Sequence, residues 1–478
     1  MKLCFAVIGS LFLSLTHAQR YQKLSPSQAC RDIDSLCHWY VDQTAVGCNP
    51  VKSDFFRRAC EQKKSTFTDS ISIHQFAFEL AEIIASCNDA HFALDWIYLN
   101  RKFPRGNGFF PYRYTATKGP LNIHLVITDS SPNSKIHGAE WLELNGITTT
   151  ELIEWAGHYV SVEEGAEQAR DYLAACWLPW LLAQSDHLFK DNEWSLRVPN
   201  GVEIIRNNWK AIDIKQLEQN HGSRKSIRGR SEISYSVRQK KAILKIPTFA
   251  PKSTLRGLRK INRFFRWIKL NGVESILIDL RDNGGGNSAF VEYLYSFLDT
   301  AGVAAPHAIV QRSSELSRKR LHPWIKNGIL RRRILRDEDG MAAMRVMELP
   351  NEICDTVYLK ERIIQKQNQV YQGRCFVAVN GQTASAAGHF AALMQSTGRG
   401  KIIGQTCNAN SSDSGGNAMR VILGESRLSV LLPLIRYINF EVNNSVRNPI
   451  IPDIELWPNI HDISQQYDVI INRYIQHE

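Results

Sequence analysis

The second half of the chain predicts an α/β fold, and three stretches predict it. Ala242 to Ile246 is a strand-like apolar run that leads into Pro247-Thr248-Phe249. Ser275 to Leu280 is a second apolar run; it ends in R-D-N-G-G-G (Arg281 to Gly286), after which Phe290, Leu294, Phe297 and Leu298 recur at helical spacing. Phe376 to Val379 is a third. It is followed by an Asn380-Gly381 turn, by Ser385 among Ala384, Ala386 and Ala387, and by the helix face Phe390, Leu393 and Met394, which closes at Gly398 to Gly400.

From the start of the chain, residues 1–18 carry one lysine, an apolar run and a small residue at Ala18, the pattern of a secretory signal peptide. That run is too short to span a bilayer, and no later stretch is long enough. The mature protein is therefore expected to be secreted, extracellular and without a membrane span. Residues 19–118 form a Cys-bearing region, polar and irregular up to about residue 70. Phe76, Leu80, Ile83, Ile84 and Cys87 then mark one face of a helix that ends at Asn88-Asp89-Ala90-His91-Phe92.

Residues 119–215 read as a separate module. Leu121 to Thr128 alternates like a strand, and Gly138 to Trp155 reads as strand, Asn-Gly turn and helix. Residues 216–234 form a polar, basic linker, and residues 235–478 the α/β core, with a basic insertion at 307–346. Further strands are expected near Lys401 to Gln405 and Arg427 to Leu432, with a helix at the C-terminus.

The formal charge of +11 is concentrated in Arg224 to Arg230 and Arg312 to Arg336. No nucleic-acid motif accompanies these segments, so solvated loops account for them and no nucleic-acid partner is expected. Cutting at Arg318-Lys319-Arg320 or Arg331-Arg332-Arg333 during maturation is one possible fate of the insertion, an uncut basic loop the other. Five cysteines, Cys30, Cys37, Cys48, Cys60 and Cys87, crowd the N-terminal region; Cys176, Cys354, Cys375 and Cys407 are scattered. Export implies some disulfides, but spacing does not give their pairing. No metal-binding spacing and no cofactor motif occurs.

Ser385 lies at a strand-to-helix elbow, where its hydroxyl is presented and the following N–H groups point outward; the bland alternative is a helix N-cap. Gly284, Gly285 and Gly286 allow three readings: a phosphate loop, for which the G-K-[ST] ending is missing, an oxyanion hole, or a tight turn. Asn410-Ser411-Ser412 and Asn443-Asn444-Ser445 are N-glycosylation sequons.

Several of these segments together resemble the C-terminal-processing (tail-specific) serine protease family. I-L-I-D-L-R-D-N-G-G-G is similar to its D-L-R-x-N-x-G-G signature, T-A-S-A-A-G to its nucleophile segment, and G-R-G-K-I-I-G-Q-T to the strand that follows. I-P-T-F and I-I-P-D-I-E-L resemble its entering and closing segments, in the same order over about residues 240 to 457. The bacterial branch pairs its serine with a lysine, but Cys407 to Asn417 holds none. The tricorn-like branch, which includes the chlamydial protease-like activity factor, uses an N-terminal histidine in a segment that N-D-A-H-F resembles.

The resemblance implies a crotonase-like core, with an N-terminal helical region and a PDZ-like inserted module marked by Gly138 to Trp155. It implies a serine endopeptidase acting on protein or peptide substrates through an acyl-enzyme, with no cofactor. Ser385 would be the nucleophile and His91 the base. Glu441 would be the orienting acid, with Asp89 as its rival. Ala386 and Gly285 or Gly286 would donate to the oxyanion. Gly388 stands where the tail-specific branch often has glutamate. The alternative is an inactive relative that binds a ligand or peptide. Ser414, in a G-D-S-G-G-like setting, reads as a loop residue, because no A-A-H-C segment accompanies it.

Overall fold

In the computed structural model of the chain, the described residues are 23–119, 122–128, 136–189, 191–198, 204–220, 232–238, 240–298, 308–326, 344–359, 370–438 and 449–477. The expected signal peptide, Glu441 and Asn443 lie outside them. No helix among the described residues is long and apolar enough to cross a membrane.

The stretch expected to be irregular contains two helices, α1 (Pro26–Cys37) and α2 (Pro50–Lys64). Their buried stripes are thin: Ala29, Ile33 and Leu36 on α1, Phe56 and Cys60 on α2. Their starts are nonetheless well capped, by Ser25 in a capping box with Gln28 and by Asn49, each followed by a proline in the first turn. Helix α3 (Ile73–Ala85) follows as its apolar period predicts.

The next unit is an antiparallel sheet in the order β1-β2-β3-β4-β5, formed by β1 (Tyr114–Lys118), β2 (Ile123–Ile127), β3 (Glu140–Leu144), β4 (Asp191–Arg197) and β5 (Ile204–Lys210). It begins at Tyr114, a few residues before the expected boundary at 119. Asn145 and Gly146, both at positive φ, make the expected turn into helix α4 (Thr149–Gly157), and α5 (Arg170–Leu182) follows.

The C-terminal half is built on a sheet in the order β6-β7-β8-β11-β12-β17. Its strands are β6 (Ser234–Arg238), β7 (Lys241–Lys245), β8 (Ser275–Asp279), β11 (Arg374–Val379), β12 (Lys401–Gly404) and β17 (Ile454–Glu455). All pairs but the first are parallel. Ile276, Ile278, Val377 and Val379 face α6 (Thr254–Leu270), α7 (Ser288–Tyr295) and α9 (Ala386–Ser396). Leu277, Phe376, Ala378 and Ile403 face Ile470 and Tyr474 of the C-terminal helix α10 (Val469–His477). Burial on both faces explains why these strands read as unbroken apolar runs.

The basic insertion is not a plain loop. It contains strand β9 (Ala308–Arg312) and helix α8 (Glu315–Lys326), and β9 joins a second antiparallel sheet, β10-β9-β16-β13. There β10 is Cys354–Tyr358, β13 Asp413–Gly416 and β16 Ile435–Ile438. Arg318 donates to Ser313 Oγ and to the Leu349 carbonyl, so this part of the expected cleavage motif is built into the fold; Arg331 to Arg333 lie outside the described residues. A disulfide joins Cys48 to Cys354 with a Cα–Cα distance of 5.6 Å, tying the N-terminal helices to β10.

Candidate active site

Ser385 ends the turn after β11 and precedes α9. Its backbone has φ 52° and ψ −129°, a conformation that costs a non-glycine residue roughly 1–3 kcal/mol. The surroundings enforce it. Thr383 Oγ1 donates to the Leu280 carbonyl (2.9 Å), and the Ala384 N–H donates to the Asn283 carbonyl (3.1 Å), which clamps the elbow to the glycine loop. Ser385 occupies the N-cap position, but its side chain makes no capping hydrogen bond. The N-cap reading therefore fails, and the strained backbone presents the hydroxyl instead.

Gly285 lies directly against this elbow. At φ 98°, a Cβ on it would stand 2.7 Å from Ser385 Cβ and 2.8 Å from the Ala386 nitrogen. The two glycines do not serve alike, however. The Gly285 N–H donates to Asn283 Oδ1 (2.9 Å) and so holds the loop's own shape. The bridge to Phe249 uses the Gly285 carbonyl and the Asn287 N–H, leaving the Gly286 amide out of it. Of the expected donors, Ala386 and Gly286 are thus the pair suited to an oxyanion. Gly285→Ala is expected to lower kcat by about 10²-fold or more by pushing the elbow off these donors, as a steady-state assay would read. At Gly388 a Cβ would lie 2.1 Å from Ala409 Cβ, so this backbone has no room for the glutamate of the tail-specific branch.

His91 is brought to the core by strand addition. Just after it, Ala93–Leu94 pairs antiparallel with β15 (Ser429–Leu432), itself paired with β14 (Met419–Ile422), and Leu94 lies opposite Val430. Asp89 Oδ1 accepts the His91 N–H (2.9 Å), and Phe92 stacks on Tyr40 with ring centroids 3.9 Å apart. The imidazole Nδ1 lies 3.0 Å from Glu163 Oε1 and 3.9 Å from Asp89 Oδ1. Glu163 is therefore the carboxylate that pairs with His91, and Asp89 shapes the loop backbone. Glu441, the residue expected in the acid role, lies outside the described residues. Nothing local marks Glu163: S-V-E-E-G offers two adjacent carboxylates, of which Glu163 is buried and Glu164 reaches Lys52.

Burial depresses the His91 pKa, but the hydrogen bond and charge of Glu163, with the charge of Asp89, outweigh it and leave it above the ordinary 6.5. Burial likewise raises the carboxyl of Glu163, against the pull of His91. Arg436, buried beside them, bonds Asp413 and lies 3.7 Å from Asp89. Three buried carboxylates thus face one guanidinium, a field that favours an imidazolium at His91. His389, one turn along α9, is pushed down to about 4 by burial, so it stays neutral and is no rival base.

The segment Gln405 to Asn417 joins the two halves of the site. Asn408 bridges to Ala384 through its backbone, while its Oδ1 accepts the Glu163 N–H (2.8 Å). Ala409 packs on Gly388, Asn410 Nδ2 donates to the Glu164 carbonyl, and Gly415 passes so close that a Cβ would lie 3.0 Å from His91 Cβ. Ser414 belongs to β13 rather than to a loop, and Gly415 beside it is what lets that strand pass His91. Asn410 corrects a sequon: it is 2% exposed and its amide bonds Glu164 and Asp413, so the folded chain has no room for a glycan there.

Asp89, His91 and Glu163 are the one group among the described residues that brings three ligand-type atoms within 4.8 Å of one another. Their engagement with each other fits an acid–base relay. Resemblance to known proteins agrees with the fold. Residues 240–456 match the model of peptidase family S41.

The chain carries a peptidase family S41 domain.

This domain makes the chain a serine-type peptidase by family. Beyond it, three solved structures of CPAF match nearly the whole chain. Mature CPAF matches at 16% identity and a TM-score of 0.65, covering 95% of this chain and 98% of that one. CPAF complexed with lactacystin matches at 15% and 0.66, covering 95% and 99%. A serine-to-alanine CPAF mutant matches at 15% and 0.67, covering 95% and 96%. At such identities the likeness is one of fold. None of the curated proteins matches.

Proposed function

We propose that this chain is a secreted serine endopeptidase whose site is Ser385, His91 and Glu163. The observation that carries the reading is the pair of half-buried His91 and buried Glu163, tied through Asn408 to the residue before a strained serine elbow. In the proposed reaction His91 Nε2 takes the Ser385 proton as Oγ attacks a peptide carbonyl. Glu163 holds Nδ1–H, fixing the tautomer and stabilising the imidazolium. The N–H groups of Ala386 and Gly286 receive the oxyanion. The amine leaves with the proton from His91, and water, activated by the same base, releases the acyl group from Ser385.

A fluorophosphonate probe tests this on the purified full chain beside Ser385→Ala and His91→Ala. The expected result is labelling of the native chain and none in either variant. Undiminished labelling of Ser385→Ala would place the reactive nucleophile elsewhere.

One observation favours the alternative of a ligand- or peptide-binding protein. A cavity of about 590 Å³ lies between β1, the loops after β8 and β11, and the C-terminal helices, with Thr115, Tyr172, Arg281, Asn380 and Gln405 in its wall. Failure of the native chain to label would leave this cavity as the functional site.

A further inference from the structure

The N-terminal helices hold a second pair of sulfurs that the Cys48–Cys354 disulfide does not use. Helices α1 and α2 run side by side in a register set by several contacts. Lys64 Nζ bonds Asp34 Oδ1 (2.7 Å), and Cys30 Sγ lies 3.9 Å from the Lys64 carbonyl. One turn further along this seam Cys37, at the end of α1, stands opposite Cys60 of α2, between the Asp34–Lys64 bond on one side and the Tyr40–Phe56 ring contact on the other. Cys60 is 1% exposed, so this part of the seam lies in the core.

Cys87 is the third thiol of the neighbourhood. Its sulfur turns back to the Ile83 carbonyl of α3 (3.6 Å). The seam thus singles out a pair: Cys37 and Cys60 lie on the facing helices α1 and α2, while Cys87 follows α3.

We infer that Cys37 and Cys60 form a second disulfide in the oxidised chain, bracing the loop that carries His91. The aromatic packing gives the brace its purpose. Tyr40, three residues after Cys37, stacks on Phe92, and Phe56, four residues before Cys60, meets both rings edge-on. Phe92 follows His91 directly. A bond between Cys37 and Cys60 therefore closes the two helices around the clamp on which the base loop rests.

The reaction is a thiol–disulfide exchange with a small disulfide such as oxidised glutathione. Cys37 and Cys60 give up two protons and two electrons. The S–S bond of the small disulfide breaks to give two thiols as the protein S–S bond forms. The crosslink itself does not rest on the peptidase reading; only its bracing of a catalytic base does.

The test is peptide mapping of the purified, unreduced full chain, denatured in the presence of iodoacetamide. The expected result is a Cys37–Cys60 linked peptide pair that disappears on reduction. Carbamidomethyl groups on both cysteines without reduction, or Cys60 joined to Cys87, would overturn the inference. Free-thiol titration in denaturant gives a readout independent of folding. The titre of a Cys37→Ser, Cys60→Ser double variant should equal that of the native chain, whereas a fall by the two thiols removed would show that both were free. The same double variant is expected to unfold several degrees lower than the native chain; an unmoved midpoint would remove the bracing role.

Discussion

Glu163→Gln is expected to lower kcat by about 10⁴-fold with little change in KM. Glutamine fits the same space, but it lacks the charge that holds Nδ1–H and stabilises the imidazolium. The pH profile separates this from simple disruption. His91 acts as a base only when neutral, so kcat/KM rises with pH through its pKa, which in the native chain lies above 6.5. In Glu163→Gln the negative charge is lost, and with it the charge-assisted hydrogen bond, while burial still depresses the imidazole. The acid limb should therefore move to lower pH even as the plateau falls. A variant within tenfold of the native kcat and with an unmoved limb would exclude Glu163 from the site.

Arg436→Met is expected to destabilise the fold by about 3–5 kcal/mol, measured by denaturant unfolding. Methionine keeps much of the side-chain volume, so the loss is electrostatic. Arg436 is 7% exposed and bonds Asp413, itself 6% exposed, with Asp89 at 3.7 Å. Without the guanidinium, Asp89 and Asp413 lose their buried cation, and His91 alone is left to offset three carboxylates. Asp413→Asn in the same chain should restore part of the loss by removing one of those charges. A single Arg436→Met variant that unfolds with the native midpoint would show that the network contributes little.

Much of the core was legible because its signals are local. Ile276 to Ile278 and Val377 to Val379 are apolar in unbroken runs, since both faces of each strand are covered. The glycines after β8 and the alanines around Ser385 announce a close approach of two backbones, which the structure bears out: a Cβ on Gly285 would stand only 2.7 Å from Ser385 Cβ. Helices α1 and α2 were less legible, because their buried stripes hold few large apolar residues and their strongest marks are caps. The basic insertion misled for a different reason. Its charges are real, but β9 and α8 are held there by pairing with distant strands and by the Cys48–Cys354 link.

The site divides along the same line. Sequence alone singled out the nucleophile candidate, the base candidate and the glycine loop, because each sits in a motif a few residues long. Only the tertiary structure decided which carboxylate meets His91, which glycine amide is left for an oxyanion, and why Gly388 and Gly415 must be small. The carboxylate choice in particular joins residues far apart in sequence: His91 and Glu163 are 72 positions apart, and Glu163 and Asn408 are 245 apart. A buried carboxylate and an exposed one look alike in S-V-E-E-G. What separates them is desolvation and a hydrogen-bond partner, and both arise only when the chain has folded around them.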